Sequence, residues 1–181
     1  MSKPSTRLLT AGLLALPLAL SIAYAQTAAP TATPAVAKVS LIDRPQPDIN
    51  SLPDDEYGRL ARYGHELTTR TFAHIGPEVK DKKMRYAGNN LACTSCHEEN
   101  ASKPYAMPWV GVTATFPQYR GREDDLSTVE ERVNGCMQRS MAGKPLPLDS
   151  KEMKAYVTYI HFLSTGIPVG AKVEGSATFP S

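Results

Sequence analysis

The sequence predicts an all-α domain, and three observations carry that prediction. Three stretches repeat apolar residues at helical spacing, each entered by a recognisable cap. Alternating apolar and polar residues, the mark of half-buried strands, are scarce. The segment Cys93-Thr94-Ser95-Cys96-His97 then supplies a centre for the helices to enclose. Two thiols three positions apart with an imidazole directly after form the C-x-x-C-H pattern of covalent haem attachment. The sulfurs add to the two vinyl groups on one porphyrin edge, and His97 becomes the proximal axial ligand. A thioredoxin-like pair would want a βαβ setting. A tetrahedral zinc site would want four Cys/His ligands, and a 93–96 disulfide would leave His97 without a role.

The first helix is expected over 54–73. Ser51 can cap it, Pro53 fits the first turn, and Asp54, Asp55 and Glu56 suit the positive end. Tyr57, Leu60, Ala61, Gly64 and Leu67 share one face. Gly64 is out of place by propensity, since glycine costs about 1 kcal/mol against alanine inside a helix. On an apolar face, however, it admits another helix closely. His65 lies one step off that face and reads as a solvated histidine.

A second helix runs from Thr128 to about Ser140, with Ser127 and Glu130 as a capping box. Val129, Val133 and Cys136 share its apolar face. A third helix over 150–164 begins with Asp149 and Glu152 and stops at Gly166; Met153, Tyr156, Val157, Ile160 and Leu163 line its face. Its aromatic residues suit the gap at Gly64. Helices placed in this order around a haem motif resemble class I cytochromes c. That resemblance implies one covalently bound haem enclosed by crossing N- and C-terminal helices.

The N-terminus indicates export. Lys3 and Arg7 precede an apolar run from Leu8 to Ile22, and Ala23-Tyr24-Ala25 gives a small-x-small end before Gln26, the pattern of a cleavable signal peptide. Pro17 and Gly12 interrupt the run, which falls short of the about 20 residues a membrane span needs. No cysteine near the cleavage site offers a lipid anchor. Periplasmic localisation follows, with no stable membrane anchor. Lys3 and Arg7 leave with the signal, so 18 basic and 18 acidic side chains remain. That balance argues against nucleic acid as a partner. The expected organisation is a signal peptide (1–25), an Ala/Pro-rich extended leader (26–50), a cytochrome domain (51–166) and a flexible tail (167–181).

Once Cys93 and Cys96 become thioethers, Cys136 is the one thiol left in an oxidising compartment. It can be a small buried hydrophobe, an intermolecular disulfide partner, or a thiolate on the haem iron. Met141, in a Gly/Pro-rich stretch before the last helix, is the rival axial ligand of a plain His/Met electron carrier; Met107 is a weaker one. Arg132, Cys136 and Ser140 follow at four-residue steps and share a helical stripe. Arginine forks onto anionic oxygens, so it suits a sulfur oxyanion or the haem propionates alike.

The runs from Phe116 to Arg122, from Val129 to Cys136 and from Arg139 to Pro147 resemble the N-terminal domain of dihaem thiosulfate dehydrogenases, relatives of the A subunit of the Sox cytochromes. The similarity extends over roughly 57–173. It implies haem ligation by His97 and Cys136, and an anion pocket containing Arg122, Arg132 and Ser140. The family continues into a second cytochrome domain with its own C-x-x-C-H, which this sequence lacks. Coupling two thiosulfates releases two electrons and one haem iron stores one. A partner cytochrome or other electron acceptor is therefore expected, and turnover by this chain alone is not assured.

Overall fold

In the computed structural model, residues 35–176 are described. The expected signal peptide, the first part of the leader and the last five residues of the tail lie outside them. Elements follow in the order β1 (Lys38–Ser40), α1 (Glu56–Thr69), α2 (Thr71–His74), α3 (Glu98–Ala101), β2 (Gln118–Arg120), β3 (Asp125–Ser127), α4 (Val129–Gln138), α5 (Lys151–Leu163) and β4 (Lys172–Glu174). The domain is mainly helical, with two small two-stranded ribbons, β1 beside β4 and β2 beside β3.

Each long helix starts one to several residues from its expected cap. Asp55, not Ser51, caps α1, its carboxylate accepting from Gly58 N at 2.7 Å. Thr128 and Glu131, not Ser127 and Glu130, form the capping box of α4. Ser150, not Asp149, caps α5. Glu152 then turns inward, where it is buried and accepts from the Tyr63 hydroxyl at 3.1 Å. Burial and the adjacent Glu152 carboxylate push the Tyr63 hydroxyl up to about 12.

Helices α1 and α5 meet at Gly64. A Cβ there would lie 2.1 Å from Ala155 O and 2.6 Å from Tyr159 Cβ, so only a hydrogen fits. The helices bury two aromatic anchors between the cores they share. The Tyr156 hydroxyl donates to Leu67 O at 3.3 Å, and the Tyr159 hydroxyl donates to Asn100 O at 2.8 Å. Both rings are nearly inaccessible to solvent, and burial raises both hydroxyl pKa values. His65 is half-buried, open to solvent on one side and edge-on to Tyr159 on the other with ring centroids 5.6 Å apart.

A second close approach fixes the loop after α4. Gly88 N donates to Met141 O at 2.8 Å and Lys144 N donates to Tyr86 O at 2.9 Å. Cβ atoms at Gly88 and Gly143 would fall 2.1 Å from Ala142 O and 1.9 Å from Tyr86 O. The Asn134 side chain locks the same loop from the other side, exchanging two hydrogen bonds with the backbone of Leu146 (2.9 and 2.8 Å).

The sequence stretches read as leader and tail are joined here. Val39 lies in register with Val173, Leu41 N donates to Glu174 O, and Leu41 is buried in the core. Residues 38–41 and 172–174 thus belong to the folded domain. No helix among the described residues is long and apolar enough to cross a membrane.

Candidate functional site

The five-residue motif folds as a single tight turn. Cys93–Ser95 forms one turn of 3-10 helix, Ser95 Oγ accepts from Ala92 N, and the Cys96 and His97 amides both donate to Cys93 O. In 3-10 geometry residues i and i+3 eclipse, so the two thiols project from the same side. Two residues after His97 the chain begins to reverse, through Glu99, Asn100 and Ala101 at φ 52°, 57° and 66°. Such left-handed runs are uncommon outside glycine and gather at functional sites. The reversal is held by Trp109 N donating to Ala101 O at 2.7 Å, and it lets the 103–109 loop pass beneath the imidazole.

That loop determines the state of His97. Its Nδ1 lies 2.5 Å from Met107 O. A carbonyl can only accept, so Nδ1 carries the proton and Nε2 keeps its lone pair. Burial depresses the imidazole pKa, the bond to Met107 partly opposes this, and the Arg132 charge depresses it further. His97 is therefore a neutral imidazole with one nitrogen anchored and the other free, the state a metal ligand needs. Trp109 packs on it at 5.0 Å between centroids.

Beside the motif is a cavity of about 600 Å³. Cys93, Cys96 and His97 line it from one side, and α4 with its following turn lines another through Arg132, Val133, Cys136, Met137, Ser140 and Met141. The remaining wall is largely apolar: Trp109, Val110, Val112, Phe116, Tyr156, Ile160 and Val173 contribute. Cys93 is half-buried, with Thr71 Oγ1 at 3.5 Å and the Tyr156 hydroxyl at 3.7 Å from its sulfur; desolvation pushes its thiol pKa up. No two of the three cysteines are joined as a disulfide. Among the described residues no three His, Cys, Asp or Glu side chains gather in a metal-holding cluster.

The structure thus brings Cys93, Cys96, His97, Arg132, Cys136 and Ser140 to one cavity, and Met141 with them. It does not bring Arg122, which is exposed in the β2–β3 turn and does not line the cavity. Arg120, two residues earlier on β2, lines it instead, together with Gln118. Tyr119, between them, points to solvent. The signal for Arg120 was this alternation, too short to read as a strand from sequence. Arg120 Nε is paired with Glu123 at 3.1 Å, and Glu123 also holds Arg139 at 3.2 Å. These two arginines hold the Glu123 carboxyl pKa below its ordinary value, against the opposing effect of burial. Lys172, on β4, was likewise missed and lines the cavity.

The donor set fits a covalently attached haem: two thiols on one turn, a neutral imidazole with a free nitrogen, and a large apolar cavity open to both.

Comparison with known proteins agrees. Residues 82–169 match the family model of the SoxA/TsdA cytochrome c domain. The chain is 40% identical over 130 residues to a thiosulfate dehydrogenase of Psychrobacter arcticus, covering 72% of this chain and 37% of that protein. It is 34% identical over 129 residues to a thiosulfate dehydrogenase of Thiomonas intermedia, covering 71% and 38%. The chain spans well under half the length of these relatives. Among solved structures, the thiosulfate dehydrogenase TsdBA from Marichromatium purpuratum superposes with a TM-score of 0.66 at 26% identity, over 74% of this chain and 29% of that one. The chain therefore carries a c-type cytochrome domain of the SoxA/TsdA family, which binds haem covalently.

Proposed function

We propose that this protein is a periplasmic cytochrome that carries one haem c and takes electrons from thiosulfate or a related sulfur anion. In this reading Cys93 and Cys96 would hold the haem covalently, and the His97 imidazole and the Cys136 thiolate would be the protein's ligands to its iron. The observation that carries the reading is the convergence of His97, Cys136, Arg132 and Ser140 on one cavity. When bound, the haem supplies a one-electron acceptor. The chain's own residues do the rest. His97 is held neutral and oriented by Met107 O. Arg132 offers a fixed positive charge and Ser140 a hydroxyl to an anion arriving beside Cys136. The apolar wall lowers the local dielectric, which strengthens that attraction. Two electrons leave two coupled thiosulfates, so a partner cytochrome or another acceptor must receive them in single steps. Residues 1–25 are read as the export signal, and the meeting of α1 with α5 at Gly64 is read as the helix crossing of class I cytochromes.

One observation favours a second reading. Met141 is buried and lines the same cavity as Cys136, as a His/Met electron carrier without a substrate site would require. Near-infrared magnetic circular dichroism of the oxidised protein separates the two. A thiolate charge-transfer signature supports the sulfur-anion reading, and a methionine signature refutes it. Mass spectrometry of the exported protein should show one haem that survives acid-acetone extraction.

A further inference from the structure

The cavity has a charge pattern that sulfur-anion binding beside Cys136 does not account for. Its lining holds three cations, Arg120, Arg132 and Lys172, each from a different element, and no carboxylate among the described residues. The charge of Arg120 is already met by Glu123. Arg132 shares the helical stripe of Cys136 and Ser140. Lys172 has no ion-pair partner among the described residues. It also stands in register with Lys38 on the parallel neighbour β1. Both side chains are exposed, so two cationic groups leave the ribbon side by side, and the one at Lys172 reaches the cavity lining.

The ribbon is firmly placed. Lys172 N donates to Ala37 O at 2.8 Å, Gly170 N donates to Ala114 O at 3.0 Å, and Tyr105 N donates to Gly175 O. Val173 packs so closely on Gly111 that a Cβ there would touch it at 3.0 Å. Residues 170–175 are thus pinned to the segments before and after Trp109, and Lys172 is held at a defined place on the wall.

We propose that Lys172 is a positioning residue for the haem, pairing with a propionate carboxylate, and that the β1–β4 ribbon exists to present it. This rests on the haem reading above. Cys93 and Cys96 hold one edge of the macrocycle, and the carboxylates lie on the edge away from the thioethers. They need a cation from a wall other than the cysteine turn. Arg132 is then left free for the external anion, so the two kinds of anion take different cations.

The test compares Lys172→Gln with Lys172→Arg and with Lys82→Gln, an exposed lysine that does not line the cavity. Each is expressed as the full chain and checked for covalent haem by its pyridine haemochrome spectrum. Loss of a cation beside a propionate leaves more negative charge near the iron, which favours the ferric state. Lys172→Gln should lower the reduction potential and shift the propionate-bending band in resonance Raman. Lys172→Arg should restore both, and Lys82→Gln should move neither. If Lys172→Gln carries haem with unshifted band and potential, or if the two glutamine variants shift the potential equally, the proposal is overturned. If instead only thiosulfate-dependent spectral changes respond to Lys172→Gln, the lysine serves the free anion and the propionate assignment falls. Absence of covalent haem in the wild type would defeat the haem reading itself.

Discussion

Replacing Gly64 by alanine tests the packing that holds the domain together. The new Cβ would sit 2.1 Å from Ala155 O and 2.6 Å from Tyr159 Cβ, whereas real Cβ contacts are essentially never under 3.0 Å. The obstacle is backbone on a long buried helix, so no side chain can rotate away. Helices α1 and α5 must separate by roughly 1 Å, and overpacking of this kind costs about 1–3 kcal/mol. A backbone clash places Gly64→Ala at the upper end, about 3 kcal/mol. Better helix propensity returns about 1 kcal/mol, for a net loss of about 2 kcal/mol. For a chain of this size that lowers Tm by roughly 4–8 °C. Far-UV circular dichroism melts of the haem-loaded protein measure it. Gly121→Ala, where no atom lies within 4 Å of the added Cβ, is the control and should melt like the wild type. A Gly64→Ala protein as stable as wild type would refute the argument that this contact leaves no room.

Cys136→Met should raise the reduction potential, because a thiolate stabilises ferric iron and a thioether ferrous iron. If Met141→Ala alters the oxidised spectrum while Cys136→Ala does not, the thiolate reading fails. Arg132→Ala should weaken thiosulfate binding about tenfold or more, the scale of one lost charge-assisted hydrogen bond, and leave the spectrum nearly unchanged. Arg122→Ala should leave that affinity as it was, since its side chain lies outside the cavity lining; isothermal titration compares the two. Stability should fall as pH rises from 10 towards 12, because Tyr63 stays neutral in the folded state up to about 12 while an unfolded tyrosine ionises near 10. The raised folded pKa contributes stability below pH 10 that is lost through this window. Denaturant titrations should show a shallower loss in Tyr63→Phe, and an unchanged slope would refute the assignment.

The offsets at the helix starts share a cause. Near each start two or more neighbouring residues can cap: Ser51 or Asp55, Ser127 or Thr128, Asp149 or Ser150. Local chemistry barely separates them. The choice belongs to the rotation that buries the apolar face, and that depends on the partner helix. Glu152 shows the consequence, for the residue expected to close a capping box is instead the buried acceptor of Tyr63 on α1. Arg120 and Arg122 differ for a similar reason. Both are arginines ahead of Cys136, two residues apart, and only the β2–β3 pairing decides which one lines the cavity.

Sequence alone determined the haem motif, the three helices with their apolar faces, the glycine where two of them meet and the stripe bearing Cys136. Each of these is encoded within a few residues, by covalent spacing or by the 3.6-residue period. Tertiary structure decided the rest: the Nδ1-protonated imidazole, the exclusion of Arg122, the entry of Arg120 and Lys172, and the joining of 38–41 to 172–174. These depend on atoms brought together across long stretches of chain. Met107 O reaches His97 only after three left-handed residues reverse the backbone, and Lys38 finds Lys172 across 134 positions of sequence. Neither partner carries a local signal of the other, because the backbone hydrogen bonds that join them are available to any residue.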